Sequence, residues 1–499
     1  MPVGIYNLWL NETGATYNAS AGLPPKWLPT EHHARWERLR QARMLFIGKH
    51  RDYYLGENRT EFDFPEVDTQ SGRIRPYRTF NLLKLISVKT ADLLFGAKAK
   101  LDAPSVQQTD SIDLLARRSL LHSRFHAATV AASWAGGSML ESLIWRDEPY
   151  VQNVKPDDIY PLGQPMPDGQ YERYVRYATS VIGTLGAPIV LLLETEYQPG
   201  RIVRRLWQVE TNGEKTALKL DQWPNFKTGT PPDEERLGIA ENPITYVPNE
   251  AGGEAEISDY DGLIGLQDAV NAKFSQVARV LAQHADPPIA MHASTANDEG
   301  GYSTRNKVIF FNSKEEIPQY ILGAPELSAA MQDRTAAINA LCMAAEMSQV
   351  LLGLKEGAAP DAARKLRLEA TNSLAKVGRK ALLIEPAIAR CIEIAQKLDQ
   401  TTRLRRQYPV DPIGVEPRDG LPLDEKDEAD IIATLVGAGV MSIESAVERR
   451  IEDPDAAATE VQRLADQRAA ATPSVLLEEH APTATTNENV TSDSSAEAA

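Results

Sequence analysis

The sequence predicts an α+β fold, and three observations carry that prediction. Apolar residues recur at spacings of three and four before residue 139 and again after 256. Between them, in 139–223, short runs such as LESLIW, YVQNV, YVRYA, IVLLLETEY and RIVRRLWQV are separated by Pro, Gly, Asp and Asn. Helices followed by a block of strands point to segregated elements rather than a doubly wound parallel sheet.

Taken in order, residues 1–30 are rich in Pro, Gly, Asn and Trp and read as an extended arm. Trp36, Leu39, Arg43, Phe46 and Ile47 predict a helix over 31–54, with Arg35, Arg38 and Arg40 on its other face. Residues 55–80 form a polar loop. A second helix covers about 80–95, with Asn81 near its start and Gly96 past its end, the usual asymmetry of capping residues. One or two further helices fill 108–139 and stop at Gly136-Gly137. After the strand block and an acidic loop at 231–256, a long helix spans about 258–284. Its residues Leu263, Leu266, Val270, Phe274, Val277 and Leu281 form a seam fit to pack on another helix.

Pro287-Pro288 ends that helix, and a small segment with a strand-like KVIFF comes next. Pro325 opens a second long helix, to about 347. Gly353, Gly357 and Pro360 interrupt the pattern over 348–361. A third long helix, 361–398, contains Pro386, which predicts a kink. Residues 425–470 hold two or three helices. From about 472 the composition turns to Ala, Thr, Ser, Asn and Glu, which predicts disorder.

Composition narrows the function. Of 499 residues, 69 are acidic and 53 basic, a net charge of −16. The isoelectric point near 5.1 argues against a DNA binder that works through overall charge. Two cysteines, Cys342 and Cys391, exclude a disulfide scaffold and read as buried thiols. No apolar stretch is long enough to cross a membrane. The first residues, MPVGIYNLWLNETG, lack a basic start and an apolar core and do not read as a secretory signal.

The search for chemistry is mostly negative. There is no phosphate-binding G-x-x-x-x-G-K-[ST], no G-x-G-x-x-G after a strand, no H-E-x-x-H, no C-x-x-C and no G-x-S-x-G. His32 and His33 point about 100° apart on a helix and read as a solvated helix start. The ten acids of 231–268, against one base, read as a solvated surface. Residues 71–100 carry seven bases and one acid, and 361–406 carry eleven bases and five acids. The bases of the second cluster include Arg364, Lys365, Arg367, Lys376, Arg379 and Lys380. A solvated helix face explains them, and pairing with acidic segments of neighbouring subunits is the sharper alternative.

The order of elements resembles the portal proteins of tailed bacteriophages, in the long-tailed, siphophage-like branch. The stretches that carry the resemblance are FNLLKLISVKTADLLFGAKAKL at 80–101, ENPITYVPNEAGG at 241–253, SDYDGLIGLQDAVNAKFSQVARVLAQHADPPI at 258–289 and EPRDGLPLDEKDEADIIATLVGAGVMSIESAVE at 416–448. The resemblance covers about 30–470. It implies a mixed α/β wing built from 31–255 and 362–424, and two long antiparallel stem helices at 256–284 and 325–347. It implies a small α/β clip at 285–324 and an α-helical crown at 425–471. The arm 1–30 and the tail 472–499 match no part of the pattern. The stretch 348–361 resembles a loop that projects into a central channel, so Leu351, Leu352, Gly353, Leu354, Lys355, Glu356 and Gly357 are the implied DNA-channel residues.

The resemblance implies a structural protein of the virion, at the capsid portal vertex, assembled in the host cytoplasm. Its copies would form a ring, expected to be a dodecamer, through which double-stranded DNA is packaged and ejected without sequence preference. The terminase large subunit, the head-tail adaptor and the major capsid protein are the implied partners, with no membrane, metal or cofactor and no catalysis. The charge of the chain agrees with this. A ring of acidic chains offers DNA few cations, so phosphate binding with counterion release would be weak and sliding easy. Two other readings stay open: another virion protein such as a capsid or baseplate subunit, and a nuclease whose metal is held by scattered carboxylates such as Asp157, Asp158 and Asp259.

Overall fold

The computed structural model describes residues 24–62, 77–184, 187–224, 230–250, 256–285, 289–292, 308–311, 319–320, 327–354, 363–402, 406–421, 425–451 and 454–471. The chain divides into two compact units, 1–422 and 423–499.

The first unit opens with α1 (His33–Phe46) and α2 (His50–Tyr54). The single helix expected over 31–54 is broken between them at Gly48, whose φ of +85° no helix accommodates. Next comes α3 (Leu82–Phe95), close to expectation. Asn81 links two of these helices. Its Oδ1 accepts from the Lys84 amide at 2.9 Å and its Nδ2 donates to the Leu45 carbonyl at 2.9 Å, capping the start of α3 and the end of α1. Strand β1 (Lys100–Asp102) leads to α4 (Val106–Ser119) and α5 (Leu121–Ala135), separated by Leu120 at φ +54°.

The strands β2 (Gly137–Trp145) and β3 (Glu148–Val154) join β10 (Ile244–Pro248) in an antiparallel sheet of order β10-β2-β3. A six-stranded sheet has the order β4-β5-β6-β7-β8, from β4 (Ile159–Leu162), β5 (Arg173–Thr184), β6 (Ala187–Gln198), β7 (Arg201–Val209) and β8 (Lys215–Leu218), with β9 (Glu234–Arg236) paired on β7. Residues alternate across this sheet. Val175, Tyr177, Val190, Leu192 and Val209 pack under Trp27, Leu28 and Trp36 from the amino-terminal side. Leu191 and Leu206 pack under Leu220 and Trp223. His32 is buried here against Tyr160, ring centroids 4.6 Å apart, so the solvated helix start expected for it is corrected.

Helix α6 (Ile264–Ala285) and helix α7 (Leu327–Ala344) pack together. Between them lie β11 (Ile289–His292), β12 (Val308–Phe311) and β13 (Gln319–Tyr320), with β11 parallel to β12 and antiparallel to β13. Then come α8 (Ala363–Glu369) and α9 (Thr371–Thr401), which continues through Pro386. Helix α9 lies against β2, β10 and α3 and contributes Ile384, Ile388, Cys391, Ile392 and Ala395 to the main core. Cys342 and Cys391 are both buried, and burial pushes their thiols up, to about 11 and about 12.

Strand β14 (Gly414–Glu416) pairs with β1. Here two distant signature stretches meet. Phe95 bridges Arg418, and a Cβ on Gly96 would stand 2.7 Å from the Gly420 amide nitrogen. The two backbones cross at a separation that leaves no room for a side chain at position 96. The second unit holds α10 (Glu425–Gly437), α11 (Ile443–Arg450) and α12 (Pro454–Ala471). Ser442 caps α11 by accepting from the Ser445 amide at 3.1 Å. Ile431 and Val440 are exposed within this unit.

Candidate functional site

The two long helices define the site. Lys273 Nζ lies 2.6 Å from the Asp333 carboxylate, and the Arg334 guanidinium lies over the Phe274 ring at 5.1 Å. Leu263, at the other end of α6, lines one cavity with Ala344, Ala345 and Glu346. These two register points run in opposite directions along the chain, so α6 and α7 are antiparallel. Of the predicted seam, Leu263, Val270 and Val277 are buried. Leu266 and Phe274 are half-buried against the main core, with Phe274 stacked on Phe80 at 5.0 Å. Leu281 stands 49% exposed near the far end.

A second, polar face of α6 went unread in the sequence. Gln267, Asp268, Asn271 and Ser275 are all buried. Gln267 Oε1 accepts from the Leu82 and Leu83 amides at 3.1 and 3.3 Å, the free first-turn donors of α3. Its Nε2 donates to the Phe80 carbonyl at 2.8 Å. Asn271 Oδ1 accepts from the Phe80 amide at 3.0 Å, and Ser275 Oγ from the Arg78 amide at 2.8 Å. Asp268 accepts from Tyr77 and Thr60 hydroxyls at 2.7 and 2.8 Å. Asn271 Nδ2 also donates to His50 Nδ1 at 3.0 Å, while His50 Nε2 donates to the Leu45 carbonyl at 3.0 Å. His50 is therefore neutral, and burial holds its pKa below the ordinary 6.5. The available signal was Gln267, Asn271 and Ser275 at four-residue spacing, one helix face away from the apolar seam.

At the root of the two helices sits an ionic cluster. Asp259 Oδ1 lies 3.2 Å from Lys376 Nζ and 2.9 Å from Lys380 Nζ, and Oδ2 accepts from Ser133 Oγ at 2.6 Å. Burial alone would raise the Asp259 pKa, but the two ammoniums override it and hold it at about 2. Burial lowers Lys380 in turn, against the pull of Asp259. Lys380 Nζ also donates to Asn249 Oδ1 at 2.6 Å, which gives the asparagine of the N-P-I-T-Y-V-P-N stretch its role. Lys376 and Lys380 are buried and paired within their own chain, not on a solvated face. Arg367, half-buried, pairs with Asp419 at 3.1 Å, while Arg379 pairs with Glu346 at 2.6 Å on the exposed face that was expected for it.

The acidic loop is also less solvated than its composition suggests. Glu256, at φ +66°, has a covered side chain that receives Arg35 Nε at 2.8 Å and Arg38. Asp259 has no free oxygen for a metal, and Asp157 is bound by Arg43 at 2.6 Å. Among the described residues no group of three or more His, Cys, Asp and Glu side chains could hold a metal ion, so Asp157, Asp158 and Asp259 do not assemble the carboxylate site of the nuclease alternative. Among the described residues no helix is long and apolar enough to cross a membrane.

Beyond α7 the chain turns at Glu346, φ +53°, into a tight coil. The Leu352, Gly353 and Leu354 amides donate to Ser348, Val350 and Gln349 carbonyls at 3.2, 3.0 and 2.9 Å. Gly353 adopts φ +67° with open space around it. Leu352 is buried, and Leu351 and Leu354 lie half-buried on the main core. All three leucines thus pack against the core of their own chain. Lys355, Glu356 and Gly357 lie outside the described residues.

Known proteins offer one strong match and several weak ones. The family model described as "Phage portal protein, SPP1 Gp6-like" matches residues 39–474. No curated protein matches the chain. A chain in the solved structure "Neck of native GTA particle computed with C12 symmetry" is 15% identical, with TM-score 0.40, covering 73% of this chain and 88% of that one. A chain in "Virion of native gene transfer agent (GTA) particle" is 15% identical with TM-score 0.37, covering 79% and 96%. At these scores the structural likeness adds no weight, and the family match stands alone.

Proposed function

The chain belongs to the phage portal protein family, SPP1 Gp6-like, and from that premise we propose that its copies close into a ring, of twelve in our reading, at one vertex of a capsid. Double-stranded DNA passes through the ring in packaging and in ejection. The observation that carries this is the family match along most of the chain. The antiparallel pair α6 and α7, with a short insert between them, supports it. In this reading the pair is the stem, 285–324 the clip, 31–255 with 362–424 the wing, and 425–471 the crown.

The residues then do mechanical work, not bond chemistry. The ring has no catalysis of its own, and a separate terminase large subunit supplies the motor. A head-tail adaptor takes the terminase's place after packaging, and the major capsid protein surrounds the ring. In this reading Gly353, Lys355, Glu356 and Gly357 of the loop 348–361 face the channel, while Leu351, Leu352 and Leu354 seat the start of the loop on the core. Transient contact of Lys355 with phosphate suits a conduit, since an exposed ion pair contributes at most about 1 kcal/mol.

A packaging reaction tests this. Lys355→Ala is expected to leave folding and ring formation intact while altering packaged length or retention of DNA. Gly353→Pro is expected to be worse, because its φ lies where proline cannot go. Normal packaging and retention in both variants would remove the loop from the DNA path.

A further inference from the structure

One face of α9 reaches the turn between α7 and the coil at 348–354 from three successive positions. Ser373 Oγ accepts from the Ser348 amide at 2.8 Å and donates to the Glu346 carbonyl at 3.2 Å. Lys376 Nζ donates to the Ala345 carbonyl at 3.0 Å, and Arg379 reaches the Glu346 carboxylate. Ala345 lies just past the end of α7, where carbonyls lack helical partners and the helix dipole favours a cation. Lys376 also touches Asp259, which stands shortly before α6 and whose amide donates to the Ser133 carbonyl at 2.9 Å on α5. One ammonium therefore holds the end of α7 and the approach to α6 at once. Lys380, one turn on, holds the same Asp259 oxygen and ties Asn249 to it. The cavity beside this cluster, about 290 Å³, leaves the turn room to move once the contacts are cut.

We propose that Lys376, held in place by Asp259, is the positioning residue that fixes where the turn at 345–348 leaves the stem and hence where the next loop starts. The placement of the turn is read from the geometry alone. Its consequence for DNA rests on the channel-loop reading above. Lys376 acts through the Ala345 carbonyl and the Asp259 carboxylate and need not touch DNA.

Hydrogen exchange on the full-length protein tests it. Lys376→Met is expected to accelerate exchange of the Ser348, Leu352 and Leu354 amides at least about tenfold while β5, β6 and α3 keep their rates, as local opening requires. Lys376→Arg, which keeps the cation, is expected to restore protection. If Lys376→Met does not fold, Lys376→Gln, which keeps a polar end without the charge, is measured in its place and should accelerate the same amides. Unchanged exchange in the variants that fold would overturn the proposal, as would acceleration spread evenly over the first unit. A loop that opens in Lys376→Met while DNA retention stays normal supports the positioning role and overturns the channel-loop reading instead.

Discussion

Helix α6 meets its own chain on two faces, whereas α7 meets it mainly on one. The apolar seam of α6 lies on α7 and the main core, and its polar face is bonded to the backbone of 78–83. Along α7, Leu341 and Cys342 are buried, while Met331, Ala336 and Ala340 are exposed and Met343 is 79% exposed. The sequence from Thr335 to Ala345 carries no charge. The difference teaches that α6 is positioned by the fold of a single chain. Helix α7 is positioned by α6 and by the cluster at its carboxyl end, and it leaves apolar surface over in the free chain.

The largest expected effect falls on the cluster. Asp259→Ala leaves two buried ammoniums without their counter-charge and should destabilise the first unit by about 3–5 kcal/mol, read as a drop in the thermal midpoint. Next comes a contrast along α7 itself. Leu341→Ala should cost about 2–5 kcal/mol as a buried large-to-small change, while Met343→Ala in the unassembled chain should stay within about 0.5 kcal/mol. Equal costs would erase the distinction between the two faces.

Acid sharpens the comparison. The folded pKa of Asp259 is about 2, below its ordinary 3.8, so its stabilisation is complete above 3.8 and lost as pH falls toward 2. The loss is on the order of 2 kcal/mol, and Asp259→Asn should flatten that limb of a stability profile. His50 adds an earlier limb. Its pKa is lowered by burial, so stability holds above the ordinary 6.5 and falls below it, as a charged ring would press an N–H against the Asn271 amide. Asn271→Ala, which strips an acceptor from the Phe80 amide, should cost about 1–3 kcal/mol and loosen 77–83 in hydrogen exchange. At the small end, Leu281→Ala should change the free chain by no more than about 0.5 kcal/mol. A larger cost would mean that the seam is covered along its whole length.

Much of this was legible in the residues. The seam from Leu263 to Val277, the strand block and the cap at Asn81 come from spacing and residue type, because each is a local consequence of helix or strand period. The break at Leu120 was not legible, since leucine carries no signal for a left-handed conformation. The crossing of Gly96 over Gly420 joins positions far apart in sequence, and nothing in either neighbourhood names the other. The lysines at 376 and 380 were misread for a related reason. Charge composition counts ionised groups, but only tertiary structure says that Asp259 lies between them, so a basic helix looked solvated when part of it holds the interior together.

Negative-stain imaging of the purified full-length protein, with light scattering to give its mass, decides whether its copies close into a ring with a channel. The expected result is closed rings of many copies around a central hole. A population of monomers or of small closed oligomers without a hole, at concentrations where the protein is folded, would contradict it.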